Sequence, residues 1–203
     1  MPGLPVFRAQ RKDTRQAAYL LFALVWIVFY AYWLISAWQT RSPVKRRQSR
    51  LSYLLYGVVW VTIWIIVTNL FLPGLLAERI VPDSIGFTLA GLLITVAGLV
   101  FAVWARVHLG TNWSGMPTIR EQHTLTRTGP YRYVRHPIYS GIILGLFGTA
   151  IGLGYGIVFS CVILIFFLFV IKSRMEEKFL EEEFGEEYAR YRREVKALIP
   201  YMF

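Results

Sequence analysis

The sequence predicts an all-α integral membrane protein with five transmembrane helices. Apolar residues make up 56% of its 203 residues and charged residues only 17%, and the mean hydropathy is +0.47. This composition differs from that of an ordinary soluble domain. Several uncharged stretches also reach the ~20 residues that a helix needs to cross a hydrocarbon core of about 30 Å. We therefore expect a single membrane domain over residues 1–203.

The five predicted spans come from four uncharged stretches. The first three spans lie at about 17–37, 51–72 and 85–105. The fourth stretch, 137–171, is too long for one span, and a glycine-rich segment around Gly154 lies at its midpoint. It therefore predicts two short helices, at about 137–152 and 156–171, joined by a tight turn.

The distribution of basic residues predicts the orientation. With the N-terminus outside and the C-terminus inside (N-out, C-in), 17 of the 22 Lys and Arg residues lie on the cytoplasmic side, as the positive-inside rule requires. The basic N-terminal tail opposes this orientation. The net charge of +10 suits anionic membrane lipids, and nucleic acid is not an expected partner. We expect a bacterial or archaeal inner (cytoplasmic) membrane, with the active site facing the cytoplasm.

Cysteine and acidic residues limit the chemistry of any site. Cys161 is the only cysteine, so an intrachain disulfide and a cysteine metal cluster are excluded, and no metal is expected. Eight of the twelve acidic residues lie between Glu176 and Glu194, which predicts an amphipathic cytoplasmic helix over 172–195. Glu176 and Glu177 lie near the membrane boundary, where an unpaired carboxylate is costly, so we expect a cationic partner for them.

A polar loop at 106–136 contains all three histidines and ends next to Pro137. Proline suits the first position of a helix, so Arg135 and His136 are expected at a helix N-terminus, where free N–H groups and the helix dipole attract a carboxylate or phosphate. Tyr139 follows on the same helix. The glycines beyond it predict close helix packing, although the first of them also suits a ligand site. They are Gly141, Gly145, Gly148 and Gly152.

Four groups of residues in the second half of the chain resemble one family. They are Leu109-Gly110-Thr111-Asn112-Trp113, the run from His123 to Tyr131, the run from Arg135 to Gly141, and Arg174-Met175-Glu176-Glu177 with Phe184-Gly185-Glu186-Glu187-Tyr188. In order and spacing they resemble the isoprenylcysteine carboxyl methyltransferase family. The resemblance extends from Arg106 to the C-terminus, about half of the chain.

This resemblance implies an integral membrane enzyme that transfers a methyl group from S-adenosyl-L-methionine. It implies a cofactor site made by the last two spans and the C-terminal segment, with the 123–131 loop over the adenosine. Cations at the helix N-terminus suit the cofactor's carboxylate, glutamates suit its ammonium or ribose hydroxyls, and aromatic faces suit the sulfonium. The cofactor-binding residues so assigned are His123, Leu125, Tyr131, Arg135, His136, Tyr139, Glu176 and Glu177.

The expected acceptor is a lipophilic compound in the membrane, with the carboxylate of a prenylcysteine-like compound as the main hypothesis. Methyl transfer to a carboxylate removes both charges and needs no general base, so positioning is the main task. Arg193 or Arg192 is the candidate for holding that carboxylate, and Asn112 and Trp113 are candidate substrate-binding residues. Ala197 stands where some relatives carry an arginine, which leaves acceptor binding open.

Other functions remain open from the sequence. A related enzyme that methylates a phospholipid headgroup or a small lipophilic amine or thiol needs a proton acceptor, for which His108 or His123 is available. A membrane sterol reductase that uses NADPH is disfavoured by the Glu176–Glu177 pair and by the lack of a compact basic cluster for a 2′-phosphate. A non-catalytic scaffold or transporter is also disfavoured, because the polar residues gather at one interface rather than at mid-membrane.

Overall fold

A computed structural model describes residues 5–39, 44–47, 54, 57–65, 73–110, 118–120 and 124–200. We label six of its helices α1 to α6 in chain order; residues 57–65 are also helical and carry no label. They are α1 (Pro5–Gln39), α2 (Pro73–Ala77), α3 (Ile85–Leu109), α4 (Pro137–Leu153), α5 (Gly156–Phe184) and α6 (Glu186–Glu194). Gly129–Arg132 forms a 3-10 turn before α4.

Three of these helices are long and apolar enough to cross a membrane: Arg15–Ser36 of α1, all of α3 and all of α5. The shorter α4 is also apolar. The predicted helical membrane architecture is thus confirmed, and the spans expected at 17–37, 85–105, 137–152 and 156–171 fall within α1, α3, α4 and α5. Of the span expected at 51–72, only residues 54 and 57–65 are described, and they are helical.

Large apolar side chains cover the outside of the helix bundle. On α3, Leu93, Val100 and Val107 recur every seven residues and are each at least 62% exposed. Leu20, Ile27 and Leu34 have the same spacing and exposure on α1. A continuous apolar stripe of this length is unfavourable in water and suits the hydrocarbon core of a bilayer.

The α3 and α4 helices cross in very close contact. A Cβ atom on Gly98 of α3 would lie 2.5 Å from the backbone nitrogen of Gly145 on α4, and one on Gly91 would lie 2.4 Å from the nitrogen of Gly152. Between these two contacts, the Thr95 hydroxyl donates to the Gly145 carbonyl at 3.1 Å. The glycines of α4 therefore serve helix packing, as the sequence predicted, and Gly141 shares this role against Gly98 and Ala102.

The two ends of the bundle have different chemistry. At one end, the Arg15 guanidinium pairs with Asp83, and the Gly154 carbonyl accepts from the backbone of Ile80 at 2.8 Å. At the other end, Arg106 at the last turn of α3 donates to the Ser36 carbonyl of α1 at 3.0 Å. Helix α1 therefore runs from the first end to the second, and α3 runs from the first to the second beside it.

The C-terminal segment differs from its prediction. A separate helix was expected over 172–195, but α5 continues without a break through Phe184 and α6 begins only at Glu186. No glycine or proline lies between Ile171 and Phe184, so nothing ends the helix at the membrane boundary. Gly185, at φ +51°, makes the bend instead.

The polar loop also differs from its prediction. Helix α3 extends to Leu109, so the loop expected from residue 106 begins later. Strand β1 (Val44–Arg47) pairs antiparallel with β2 (Thr118–Arg120), which adds a short two-stranded ribbon to a fold predicted to be all-helical. The tight turn between α4 and α5 is present, with Gly154 in the left-handed conformation at φ +77°, but α5 is 29 residues long rather than short.

Candidate active site

The start of α4 and one face of α5 bring five polar side chains together at the second end of the bundle. Arg135 and His136 directly precede α4, Tyr139 lies in its first turn, and Glu176 and Glu177 lie on α5. We call these five residues the polar cluster. It forms because Pro137 starts α4 at a fixed position while α5 continues past the apolar run.

Glu177 is the centre of the polar cluster. One of its oxygens, Oε1, accepts from Arg135 Nε at 2.9 Å and Nη2 at 2.7 Å, and it lies 3.1 Å from His136 Nε2. The Arg135 and Glu177 side chains are each only 8% exposed. Arg135 also donates to the backbone carbonyls of Arg192 and Val195. Arg192 Nε lies 3.8 Å from the other oxygen, Oε2, so the buried carboxylate has three basic partners, and such pairing is the condition for its stable burial.

Glu176 is the more accessible carboxylate, with 19% of its side chain exposed. The Tyr139 hydroxyl donates to Glu176 Oε1 at 2.5 Å, and His136 Nδ1 lies 3.6 Å from Oε2. The imidazole of His136 therefore stands between two carboxylates, one at each ring nitrogen. Of the two glutamates, Glu176 has the greater freedom to meet a ligand.

Two opposing effects set the pKa of His136. Burial disfavours the charged imidazolium and lowers the pKa, but hydrogen bonds with Glu176 and Glu177 and their negative charge outweigh burial and raise it. The imidazole thus holds its proton to a higher pH than an ordinary histidine does. A protonated His136 donates from both nitrogens and can satisfy both carboxylates.

Aromatic rings form a row beside these charges. The Tyr139 ring is nearly parallel to the His136 ring, with centroids 5.5 Å apart, and to the Phe169 ring on α5, with centroids 4.6 Å apart. Lys172, one turn beyond Phe169, places its Nζ 5.2 Å from the Tyr139 ring centroid. This distance is within the range of a cation–π interaction.

The C-terminal tail closes against the start of α4. The Lys196 carbonyl accepts from the Arg135 N–H at 2.8 Å, and the Ala197 carbonyl accepts from the His136 N–H at 2.9 Å. Further along, the Ser140 hydroxyl donates to the Leu198 carbonyl at 2.5 Å, and Leu198 is buried. The tail thus positions the polar cluster through backbone contacts, and Ala197 takes part through its carbonyl.

The loop at 124–128 is held against α6 by side-chain contacts. Arg127 pairs with Glu194 at 2.8 Å and lies over the Tyr191 ring. The Tyr191 hydroxyl in turn donates to the Tyr131 carbonyl at 2.6 Å. Because α6 also contacts the polar cluster, through the Arg192 carbonyl, these contacts hold the loop next to it.

Tyrosines around the cluster remain neutral. Burial raises the pKa of Tyr131, Tyr188 and Tyr191 well above the usual value for tyrosine, and neighbouring acidic groups raise it further at Tyr131 and Tyr188. A phenol that keeps its proton acts as a hydrogen-bond donor and an apolar wall, and not as a base.

The structure brings together five of the eight cofactor-binding residues that the sequence singled out. Arg135, His136, Tyr139, Glu176 and Glu177 make direct contacts. The expected cationic partner of the glutamates is present, in Arg135 and His136. These two cations were expected to face a ligand carboxylate, but in the structure they face Glu177.

The other candidates lie outside the polar cluster or outside the described residues. Tyr131 packs beside the polar cluster, against Ile138 and Tyr139. Leu125 is half-buried in the loop at 124–128. Arg192 is 50% exposed and pairs with Glu181 at 3.2 Å, and its Nε lies 3.8 Å from Glu177 Oε2, so it contacts the polar cluster from α6. Arg193 is exposed and makes no ion pair with any described residue. His123, Asn112 and Trp113 fall outside the residues that the structure describes.

Two further residues acquire their roles only in the structure. Lys172 was counted with the cytoplasmic charges, although its i, i+4 spacing to Glu176 already placed both side chains on one helix face. His108 was considered as a base, but its Nε2 lies 2.8 Å from the Thr128 hydroxyl and its ring packs under Gly129. These contacts give His108 a part in holding the loop.

Comparison with known proteins yields one family model and several relatives. The model described as phospholipid methyltransferase matches residues 87–187. A probable protein-S-isoprenylcysteine O-methyltransferase of Oryza sativa subsp. indica is 32% identical over 115 residues, which are 55% of this chain and 60% of that protein. The protein-S-isoprenylcysteine O-methyltransferase of Saccharomyces cerevisiae is 32% identical over 123 residues, 57% of this chain and 49% of that protein.

Further matches extend this set. A methanethiol S-methyltransferase of Crocosphaera subtropica is 43% identical over 72 residues, 36% of this chain and 28% of that protein. The solved structure of a eukaryotic intramembrane Ras methyltransferase, isoprenylcysteine carboxyl methyltransferase, shares the fold with a TM-score of 0.52 at 24% identity, covering 76% of this chain and 54% of the other. The chain spans less than two thirds of the length of the curated relatives that it matches.

Proposed function

Since the chain belongs to the family of membrane methyltransferases that includes phospholipid and isoprenylcysteine carboxyl methyltransferases, we propose that it transfers a methyl group from S-adenosylmethionine to a lipophilic acceptor in the membrane. The observation that carries the proposal is the polar cluster. It joins two carboxylates, two cations and stacked aromatic rings at the end of apolar helices. At that position a cofactor from the water and an acceptor dissolved in the membrane can meet.

The donor set fits this cofactor. S-adenosylmethionine carries an ammonium, ribose hydroxyls and a sulfonium, which suit a carboxylate and aromatic faces. Glu176 is the accessible carboxylate, and Tyr139 presents the central ring of the aromatic row. Leu125 and Tyr131 lie in and beside the loop proposed to cover the adenosine. When bound, the cofactor supplies a methyl group on a sulfonium sulfur, which passes to an acceptor atom as the carbon–sulfur bond breaks.

The chain's own residues mainly bind and orient. Glu176 would accept hydrogen bonds from the cofactor's ammonium or ribose hydroxyls. Arg135 and His136 hold the two glutamates in place, because their contacts go to these side chains and to the C-terminal tail. The apolar runs of α4 and α5 next to the cluster exclude water, which strengthens each of these electrostatic contacts and favours a reaction in which charge disappears.

The acceptor that we propose is the carboxylate of a prenylcysteine-like compound, the class for which the rice and yeast relatives are named. Such an acceptor needs no general base, and the cluster's histidine is already occupied by two carboxylates. A thiol is the second candidate, supported by the similarity to a methanethiol S-methyltransferase. That reaction needs a path for the acceptor's proton.

We propose that the polar cluster faces the cytoplasm, where S-adenosylmethionine is made, in a bacterial or archaeal inner membrane. The N-out, C-in orientation puts the second end of the bundle on that side. The excess of Lys and Arg in the segments assigned to that side supports this orientation.

Cofactor binding tests the proposed site directly. Glu176→Gln removes the negative charge but keeps the size of the side chain. Because hydrogen bonds to charged groups contribute about 1.5–3 kcal/mol, the dissociation constant for labelled S-adenosylmethionine should rise by about tenfold or more in the detergent-solubilised protein.

Glu187→Gln, on the exposed side of α6, is the matched control and should bind as the wild type does. Equal affinity of Glu176→Gln and the wild type would remove Glu176 from the site. A wild-type protein that binds NADPH and no S-adenosylmethionine would refute the methyltransferase proposal as a whole.

A further inference from the structure

Three side chains of α5 meet the Tyr139 ring from successive turns of that helix. Phe169 stacks on the ring at 4.6 Å, the Lys172 Nζ lies 5.2 Å from its centroid, and Glu176 accepts from its hydroxyl. The spacing i, i+3, i+7 places all three on one helix face. Lys172 thus stands between an apolar ring and the carboxylates of the polar cluster.

Lys172 is also the cation nearest to the hydrocarbon among the described side chains at this end of α5. It follows directly on an uncharged run that begins with α5 at Gly156. At 1.5 Å per residue it lies about 6 Å closer to the membrane centre than Glu176. Arg192 lies further out, because it pairs with Glu181 and with Glu177, which both lie beyond Lys172 along α5, and Arg193 is exposed.

An amphiphile in the bilayer would meet these groups in a fixed order. Its hydrocarbon would lie along the apolar run of α5 that ends at Ile171, directly before Lys172. Its polar head would then reach Lys172 before it reached any arginine of α6. A carboxylate head would find a half-buried ammonium there, held over an aromatic ring.

We propose that Lys172 binds the carboxylate of the acceptor and selects anionic over neutral lipophilic acceptors. This inference rests on the proposed function, and it assigns to Lys172 the role that the sequence suggested for Arg192 or Arg193. Attraction between an ammonium and a carboxylate is strong where water is scarce. The methyl ester that results is neutral, so this attraction ends when the product forms and the product is free to leave.

The test is a binding experiment that needs no methyl transfer. N-acetyl-S-farnesylcysteine and its carboxamide differ only in the charge of the head group, and their dissociation constants can be measured with the purified full chain in detergent without cofactor. The wild type should bind the carboxylate about tenfold more tightly than the carboxamide. Lys172→Met and Lys172→Gln should lose this preference, and Lys172→Arg should keep most of it.

Lys178→Met is the matched control, since Lys178 is an exposed lysine on the same helix, and it should retain the wild-type preference. Arg193→Met should also retain it. The proposal is overturned if the wild type fails to bind the carboxylate, if it binds both compounds equally, or if the neutral Lys172 variants keep the preference. None of these outcomes depends on S-adenosylmethionine binding, whose failure would refute the proposed function instead.

Discussion

At the scale of single residues, His136 decides how the two glutamates are held. Its ring nitrogens face Glu176 at 3.6 Å and Glu177 at 3.1 Å, while the Arg135 guanidinium neutralises only Glu177. A neutral imidazole has one N–H and can donate to only one of two carboxylates. Only a protonated His136 can therefore donate to both glutamates at once, which agrees with its raised pKa.

The stability of the protein should consequently depend on pH through His136. Its pKa is 6.5 when unperturbed and is raised in the folded protein, so its contribution is fully present below about pH 6.5 and is lost as the pH rises through the higher folded value. We expect the unfolding temperature in detergent to fall as the pH rises above about 6.5, by about 2–4 °C for each kcal/mol lost.

Variants separate this histidine from other titrating groups. His136→Gln should lower the unfolding temperature at pH 6 and flatten its dependence on pH. His108 contacts Thr128 outside the polar cluster. His108→Gln should therefore keep the wild-type dependence of the unfolding temperature on pH. If the unfolding temperature of His136→Gln fell with rising pH as steeply as that of the wild type, the explanation would be contradicted.

At the scale of elements, the crossing of α3 and α4 sets the position of the polar cluster. The two backbones approach so closely that the Gly98 carbonyl oxygen would lie 2.5 Å from a Cβ on Gly141, two residues after Tyr139. Near the other end of the crossing, Trp26 of α1 donates to the Thr149 hydroxyl at 3.0 Å. Small residues allow such contact between membrane helices, where van der Waals packing replaces the hydrophobic effect as the driving force.

One added methyl group should disturb this crossing. In Gly98→Ala the new Cβ would lie 2.5 Å from the Gly145 nitrogen and 2.6 Å from the Gly141 carbonyl oxygen, so the backbones must separate. Overpacking of this kind costs about 1–3 kcal/mol. The unfolding temperature should fall by several degrees, and S-adenosylmethionine binding should weaken because the start of α4 moves with the helix.

A glycine elsewhere on α3 provides the control. In Gly86→Ala the nearest neighbour of the Cβ is the Ser84 hydroxyl oxygen at 3.7 Å, an ordinary contact. This variant should be as stable as the wild type or slightly more so, because alanine is the better helix former. Equal stability of Gly98→Ala and Gly86→Ala would show that the close contact is not required.

At the scale of the whole molecule, the chain separates its polar groups into two ends. The Arg15–Asp83 pair and the Gly154 turn form one end, and the polar cluster with the C-terminal tail forms the other. Exposed apolar side chains cover the helices between them. This arrangement allows the site to meet water on one side and dissolved lipid on the other.

Chemical labelling should reveal which end faces the cytoplasm. In a Cys161→Ser background, Glu187→Cys marks the end with the polar cluster and Glu78→Cys marks the opposite end, at exposed positions. With N-out, C-in, a membrane-impermeant maleimide should react with Glu187→Cys only in inside-out vesicles and with Glu78→Cys only in right-side-out vesicles. The reverse pattern would overturn the orientation, and reaction of both in one preparation would overturn the separation of the ends.

The sequence by itself determined the class of fold and singled out the five residues of the polar cluster. Uncharged runs of membrane-crossing length are a local property, so the helices could be predicted from composition alone. Pro137 placed Arg135 and His136 at the start of a helix, and the glycines of α4 indicated close packing. The same local information could not end α5 at residue 171, because only a glycine or proline would have marked that end, and neither occurs before Gly185.

The tertiary structure decided which charges meet. Arg135 and His136 lie about 40 residues before Glu177, and no spacing rule relates groups on different helices. Sequence reasoning therefore pointed these cations towards a ligand, whereas the folded chain pairs them with its own glutamate. Likewise, the position of Lys172 over Tyr139 depends on how α4 and α5 lie against each other. Partners across helices are selected by packing, which no local pattern in the chain records.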